Sequence, residues 1–285
     1  AKAKSLANIE RAILCSGQHL DGLPEAMPSL RALRLKLREQ DMRDAPWGAL
    51  RESYLESLEV TTDEGQHLSP EAFSLLDAKQ LRHLSLATAE LSSSMLAHFD
   101  HAAASNLASF TLDTVFETVD EVNSILSWAS EQPTLTHLAL RQHKGRDREP
   151  LTSEILDALP AHITSLDLSG HAVSTEVLEA LLSQHARIRA LTLGLPPKDI
   201  TWIEQATERG LFDALDTLDL TIEHIDMDAP ARIIPAMRRR PLTWFALRSE
   251  LLDREARAFA QAYDRVTFVH GLEAPRFSCW HACQG

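Results

Sequence analysis

The sequence predicts an α/β fold made of a repeated strand-and-helix unit, and three observations support this prediction. Leucine supplies 45 of the 285 residues, whereas aromatic residues supply only 6%. A six-residue pattern with leucine-like residues at its first, fourth and sixth positions recurs nine times, at intervals of 25 to 28 residues. A segment with the apolar spacing of a helix follows most copies. Strands that alternate with helical segments in this way are typical of parallel sheets.

The pattern defines the predicted strands and numbers the positions of each repeat. Its first residues are Leu30, Leu55, Leu81, Leu107, Leu135, Ile163, Ile188, Leu215 and Leu242. A weaker tenth copy begins at Tyr263, 21 residues after the ninth. Because side chains alternate along a strand, the fourth and sixth positions face one side and the third, fifth and seventh face the other. The fifth positions are mostly polar, so we expect one buried leucine face and one polar face.

The helices between the strands are predicted partly from their first residues. Candidate caps are Ser69, Thr118, Ser174 and Thr201. A serine or threonine at such a position accepts a hydrogen bond from a backbone N–H in the first turn of the helix.

The ends of such a stack need covers, because each repeat gains its stability from its neighbours. We predict a helical N-terminal cap over residues 1–29, a stack of about ten repeats over 30–268 and a C-terminal cap or tail over 269–285. The first cap is expected to hold a helix over residues 4–16 that buries Leu6, Ile9, Ile13 and Leu14. Phe277 and Trp280 are expected to close the other end.

These repeats resemble the leucine-rich repeat family over residues 30–268. The best single match is ITSLDLSGHAV at residues 163–173, followed by the helical stretch STEVLEALLSQHA. The long repeat with a full helix is similar to the ribonuclease-inhibitor-like subfamily. This resemblance implies a horseshoe-shaped solenoid with a concave parallel sheet and helices on the convex side.

One departure from the family lies at the ninth repeat position. The family has asparagine or cysteine there, and its side chain bonds the backbone of the turn and builds a ladder. Here the position holds Arg38, Asp63, Ala89, Val115, His143, His171, Pro196, Glu223 and Glu250. We therefore expect the ladder to be absent.

Charge and cysteine content limit the classes of partner. The 41 Asp and Glu outnumber the 28 Lys and Arg, giving a formal charge of −13. Nucleic acids and anionic lipids bind cationic surfaces, so we expect neither as a partner. The three cysteines are too few for a disulfide framework, and no apolar run is long enough to span a bilayer. We expect a cytoplasmic monomer, a provisional location because the numbering begins at Ala1 rather than a methionine.

Motifs that would indicate catalysis or a cofactor are absent, and we expect no enzyme activity and no cofactor. There is no phosphate-binding loop, dinucleotide fingerprint, nucleophile elbow or zinc-protease helix. Cys279, His281 and Cys283 could hold a metal, but a short tail of this kind is more often inert. His98 and His101 lie one helical turn apart and are expected to face solvent. The basic stretches at 141–148 and 238–240 are interpreted as a loop, with some prospect of a binding role, and as a helix end.

The polar face is the predicted functional surface, with charge that differs from zone to zone. Cations lie in the first repeat, carboxylates follow, small hydroxyl residues fill the middle, and acidic residues return near 167–219. Trp244 beside Arg248 is the expected anchor, because Trp and Arg are enriched at interface hot spots. The candidate partner-binding residues are Arg34, Glu59, His83, Asp113, His137, Arg141, Asp167, Asp219, Trp244 and Arg248.

The predicted function is non-catalytic recognition of a protein partner through the concave face. Two alternatives stay open. One is a regulator of an enzyme, acting as a GTPase activator or an inhibitor, and the other is a secreted bacterial effector. A catalytic role would need a tight cluster on the concave face, for which His83, His137 and Glu59 are the only candidates.

Overall fold

A computed structural model represents the structure of this chain. It describes residues 10–14, 27–38, 47–63, 65–100, 106–142, 151, 155, 158–195, 200–222, 244–249 and 266–270. Among these, the side chains of 172, 195, 200, 221, 222, 244–249 and 266–270 are not described. The chain divides into two compact units, Ala1–Gly145 and Arg146–Gly285. Each unit is described separately.

The first unit contains a parallel sheet whose strands pair in chain order. Its strands are β1 (Arg11–Leu14), β2 (Ala32–Leu37), β3 (Ser57–Thr62), β4 (His83–Glu90), β5 (Ser109–Val115) and β6 (His137–Gln142). The second unit repeats this arrangement. Its strands are β7 (Ser165–Ala172), β8 (Ala190–Leu195), β9 (Thr217–Ile222), β10 (Trp244–Ser249) and β11 (Val266–His270).

The strand register within each unit confirms the hexamer pattern. Equivalent positions pair across strands, as Leu33 does with Leu58 and Leu166 with Leu191. The weak tenth copy is confirmed too, because Val266 of β11 pairs with Phe245 of β10. A parallel pairing slipped by one residue would turn the leucines to the polar face, so burial of one face holds the register. The predicted α/β class is confirmed.

Strand β1 corrects the prediction for the N-terminal segment. Residues 11–14 form a strand that pairs in parallel with β2, so the predicted helix over residues 4–16 is wrong there. The rest of that helix lies outside the described residues. Ile13, expected to be buried, is 65% exposed. The missed signal is a degenerate hexamer, Ile9-Ala12-Leu14, that begins 21 residues before Leu30.

Helices or turns connect the strands within each unit. They are α1 (Trp47–Arg51), a 3₁₀ helix (Pro70–Asp77), α2 (Ser93–Phe99), α3 (Val119–Ser130), α4 (Thr175–Gln184) and α5 (Ile200–Glu208). Two predicted caps are confirmed. The backbone N–H of Glu121 donates to the Thr118 hydroxyl at 3.4 Å, and that of Val177 donates to Ser174 at 3.3 Å.

Of the other two predicted caps, Ser69 is confirmed as the N-cap residue but without a capping bond, and Thr201 is wrong. Ser69 precedes the 3₁₀ helix but makes no side-chain cap bond; its hydroxyl accepts from the Trp47 indole at 3.0 Å. Thr201 lies inside α5, which begins at Ile200. At Ser69, a tertiary contact with Trp47 occupies the hydroxyl that would have capped the helix. At Thr201, the helix begins one residue before the predicted cap.

The core of each unit lies on the leucine face. Leu33, Leu58 and Leu84 are buried, as are Leu191 and Leu218 in the second unit. An aromatic cluster shows where the helices pack in the first unit. Its edge-to-face contacts have centroid distances of 5.2 to 5.8 Å and join Phe73, Phe99, Phe110 and Trp128. Because Phe110 is a fourth-position residue of β5, α2 and α3 pack on the leucine face.

Two side chains at the eighth repeat position bond the backbone of the preceding repeat. The Thr88 hydroxyl accepts from the Leu68 N–H at 2.9 Å, and the Gln142 side-chain oxygen accepts from the Phe116 N–H at 3.0 Å. Eighth positions point inward because they share the alternation of the fourth and sixth. In these two repeats the bond to the turn therefore comes from the eighth position. The ninth position, whose side chain builds the ladder in the family, was expected to make no such bond.

Candidate functional site

The side chains at the third, fifth and seventh positions form the surface opposite the leucine face, here called the polar strand face. Strand pairing aligns them in rows in which successive side chains are about 4.8 Å apart. In the first unit the fifth-position row runs from Ile13 through Arg34, Glu59, Ser85 and Thr111 to Ala139. The face is less open than predicted, since Glu59 and Thr111 are buried.

Charged residues in and next to β2 and β3 pair with one another. Arg34 lies 2.9 Å from Glu59, and Arg31 lies 3.8 Å from Glu56. Lys36 also forms an ion pair with Asp63, at 3.0 Å. The predicted cationic and anionic zones are thus complementary partners across the two strands. Three unit charges of each sign offset one another here.

Glu59 stands out among these residues because it is buried, with 8% of its surface exposed. Its Oε1 is ion-paired with the Arg34 guanidinium. Its Oε2 is enclosed and has no hydrogen-bond partner within the part of the chain that the structure describes. A carboxylate has about four lone-pair sites, so this oxygen retains its capacity to accept.

His83 and His137 flank Ser109 in the third-position row. Each histidine pairs in register with Ser109, which puts their Cα atoms roughly 10 Å apart. Burial lowers the pKa of His83, and the nearby positive charges of His137 and Arg82 lower it further. Its Nδ1 is enclosed, with no partner among the described residues.

His137 also has a lowered pKa. Its side chain is exposed, but the surrounding sheet still removes part of its water, and this desolvation is the main cause. A hydrogen bond to the backbone of Ala108 opposes the shift. The Nδ1 atom lies 2.8 Å from the Thr136 hydroxyl.

The candidate catalytic cluster is not assembled by these contacts. The carboxylate that acts on the pKa of His83 belongs to Glu56 rather than Glu59. Glu59 is instead paired with Arg34. Among the described residues, no three His, Cys, Asp or Glu side chains are grouped as a metal site requires.

The remaining predicted site residues of the first unit are Asp113 and Arg141. They stand opposite each other on β5 and β6, at the seventh position, and both are half-buried. They add a pair of charged side chains to the polar strand face, next to the small residues of β4 and β5.

In the second unit, Asp167 and Asp219 occupy the fifth-position row on either side of Thr192. Asp219 is 4% exposed, although it belongs to the polar strand face. The Asp167 carboxylate accepts from the Ser169 N–H at 2.9 Å. Trp244 and Arg248 follow on β10, in register with Thr217 and Thr221. Their backbone positions agree with the predicted rows, and their side chains lie outside the description.

Other sequence candidates fall partly or wholly outside the described residues. His98 lies in the last turn of α2, whereas His101, the stretches 143–148 and 238–240, and the tail with Cys279, His281 and Cys283 are not described. None of the described helices has the length and apolar character needed to span a bilayer.

Every described strand from β2 to β11 carries the hexamer in the same register, one copy per crossover. Each unit is a stack of leucine-rich repeats. No protein-family model and no curated protein matches the sequence. Among solved structures, a leucine-rich repeat protein of Leptospira interrogans is 14% identical, with a TM-score of 0.39. The match covers 93% of this chain and 79% of that one. Similarity this low says nothing about what these leucine-rich repeats bind.

Proposed function

We propose that this chain is a non-catalytic recognition module that binds a protein partner through the polar strand face. The observation that supports this most directly is the alignment of that face: successive strands present third-, fifth- and seventh-position side chains in register. Such rows offer a partner a regular array of hydrogen-bonding groups. The aromatic cluster places α2 and α3 on the opposite side of the first sheet.

A recognition role fits the chemistry of the face better than catalysis does. Glu59 is held by Arg34, and it does not act on His83. A general base must lie within hydrogen-bond reach of the group that it activates, whereas these residues are spread over strands in multiples of about 4.8 Å. Bonds spread over a wide surface suit a large, complementary ligand.

The partner is proposed to be a protein, because the chain carries a formal charge of −13. Polyanions such as nucleic acids and anionic membranes would be repelled. We also propose that the chain acts as a cytoplasmic monomer. Its repeats of 25 to 28 residues are proposed to be of the ribonuclease-inhibitor-like kind, for which the full helices α3 and α4 provide support.

The test is to obstruct the polar strand face without disturbing the core. Ser85→Trp puts a bulky side chain in the middle of the fifth-position row. Ser127→Trp, on the exposed side of α3, is the matched control. Quantitative mass spectrometry should show a specific partner captured by wild type and Ser127→Trp and lost from Ser85→Trp. Equal capture by all three folded proteins would refute binding through this face.

A further inference from the structure

Three basic side chains of the first unit lie where β4 and β6 begin. Arg82 directly precedes β4, His83 is the first residue of β4, and His137 is the first residue of β6. The two histidines lie on either side of Ser109 in the third-position row, with Cα atoms roughly 10 Å apart. The positive charges of His137 and Arg82 both act on His83. Arg82, His83 and His137 are here called the basic cluster.

The basic cluster can be reached from outside the chain. Arg82 and His137 are exposed, and His83 is half-buried. The enclosed nitrogen of His83 is Nδ1, so that atom is given no part in binding. The small side chain of Ser109 is buried, so it does not project between the two rings. A group from outside therefore meets the guanidinium of Arg82 and the ring of His137 first.

The charge of Arg82 is not balanced as the cations around β2 are. Arg31, Arg34 and Lys36 are each ion-paired with a carboxylate. Arg82 has no ion pair within the described part of the chain. Glu56, the carboxylate that acts on His83, is ion-paired with Arg31 at 3.8 Å. The basic cluster is therefore a cationic spot beside a zone whose charges offset one another.

The hydrogen bonds of His137 determine what its outer nitrogen can do. The Thr136 hydroxyl donates to the Ala108 carbonyl at 3.3 Å, and a hydroxyl has only one proton to donate. It therefore accepts from Nδ1–H of His137, which lies 2.8 Å away. With this proton on Nδ1, the neutral ring presents a lone pair at Nε2. Nε2 becomes a donor only when the ring takes up a second proton.

Among the groups that a protein can present, a carboxylate matches the basic cluster best. It accepts hydrogen bonds only, and its bonds to a guanidinium or an imidazolium are charge-assisted. The formal charge of −13 does not prevent such a contact. Exposed charges farther away than about 8 Å are largely screened at physiological ionic strength, so the nearby cations dominate. A polyanion would extend over the acidic remainder of the surface, whereas one side-chain carboxylate does not.

We propose that the basic cluster binds an aspartate or glutamate side chain of the protein partner, held between Arg82 and His137 with His83 beside it. This inference rests on the proposed function and specifies one contact of it. The guanidinium of Arg82 donates to one carboxylate oxygen. His137 takes up a proton from solvent as the partner binds and donates from Nε2 to the other oxygen. Arg82 occupies the second repeat position, so it lies outside the rows from which the candidate residues were predicted.

The experiment selects 12-residue random peptides displayed on phage against the full chain at pH 5.5. Synthetic copies with amidated carboxyl ends are then measured by fluorescence anisotropy. We expect aspartate or glutamate to be enriched at one peptide position. Replacing that residue with asparagine or glutamine should weaken binding about five- to tenfold at pH 5.5, because two charged donors lose their acceptor. Arg82→Gln should weaken binding about three- to fivefold, because it removes one of the two.

Binding should also depend on pH through His137. A bound carboxylate favours the protonated ring, so the pKa of His137 rises on binding and affinity increases as the pH falls. Affinity should rise about fivefold between pH 7.5 and 5.5, a range in which the peptide carboxylate stays mostly ionised. His137→Gln should remove most of this rise. His98→Gln, on α2, is the matched control and should leave the rise unchanged.

The matched control for Arg82→Gln is Arg189→Gln, at the same repeat position in the second unit. Arg189 is also exposed, and its guanidinium donates to the Ala214 carbonyl at 2.9 Å. This variant should change affinity by less than about twofold. Thermal unfolding at both pH values confirms that each variant is folded. Peptides that need no carboxylate, that bind Arg82→Gln as well as wild type, or that bind equally at both pH values would overturn this inference.

Ser85→Trp separates failure of this contact from failure of the proposed function. If Ser85→Trp abolishes peptide binding while Arg82→Gln does not, the polar strand face binds ligands and only the role of the basic cluster is wrong. If Arg82→Gln weakens binding while Ser85→Trp does not, the basic cluster binds a carboxylate and the wider face is not the interface. If neither variant has an effect, or if no peptide is selected, both proposals fail.

Discussion

Arg34 on β2 and Glu59 on β3 form an ion pair at 2.9 Å in the centre of the polar strand face. Twenty-five residues separate them in the chain, which is the length of one repeat. Both residues were predicted to contact a partner protein, but in the structure they form an ion pair with each other. The pair therefore contributes to folding as well as to any interface.

Removing Arg34 should destabilise the fold because Glu59 then keeps a buried charge without a partner. Arg34→Met is expected to lower the free energy of unfolding by about 1–3 kcal/mol. We expect the lower part of that range because Arg34 is partly exposed. Urea unfolding measures the change. The double variant Arg34→Met with Glu59→Met should recover much of the loss, and a double variant as unstable as the sum of the two single variants would contradict this account.

Thr88 and Thr114 provide a matched test of the eighth-position bonds. Both are buried at the same position of successive repeats. The Thr88 hydroxyl accepts from Leu68, whereas the Thr114 hydroxyl has no partner within the described residues. Thr88→Val should lower the free energy of unfolding by about 1–2 kcal/mol, and Thr114→Val should leave it unchanged or raise it. Equal losses for the two variants in urea unfolding would show that the bond to Leu68 is unimportant.

Acidification should destabilise the chain through His83 and His137. Each folded-state pKa is lowered from the ordinary histidine value of 6.5, so the unfolded chain takes up protons more readily. Stability is therefore fully present above pH 6.5 and declines as the pH falls towards and through the folded-state pKa values. Urea midpoints at pH 7.5 and 5.0 should differ less in a His83→Gln, His137→Gln variant than in wild type. His98→Gln, on α2, is the control, and an unaltered difference in the double variant would refute the assignment.

Trp244 and Arg248 test how far the binding surface extends along the second unit. Their strand β10 pairs with β9 in the predicted register. Trp244→Ala with Arg248→Ala should reduce capture of the partner by tenfold or more if they form an anchor. Immunoblotting for the partner identified with wild type measures this loss. Retention at the wild-type level would remove these two residues from the interface.

Most of the repeat architecture could be predicted from the sequence, because it depends on the alternation of side chains along each strand. The weak copy at Tyr263 was placed in register, since Val266 keeps an apolar residue at the fourth position. Strand β1 was missed because Ala12 replaces leucine and Ile13 made the segment look helical. The caps at Thr118 and Ser174 were found because capping is a contact within one turn.

By itself, the sequence determined which residues face inward on each strand, because a period of two combined with leucine at two positions leaves only one register. Only the tertiary structure decided which charges meet. Arg34 forms an ion pair with Glu59, and the side chain of Thr88, rather than a side chain at the ninth position, bonds the preceding turn. Such partners lie 20 to 26 residues apart along the chain, and their contact depends on how one repeat is stacked against the next. That stacking also leaves one oxygen of Glu59 buried without a donor among the described residues, which no pattern of residues could reveal.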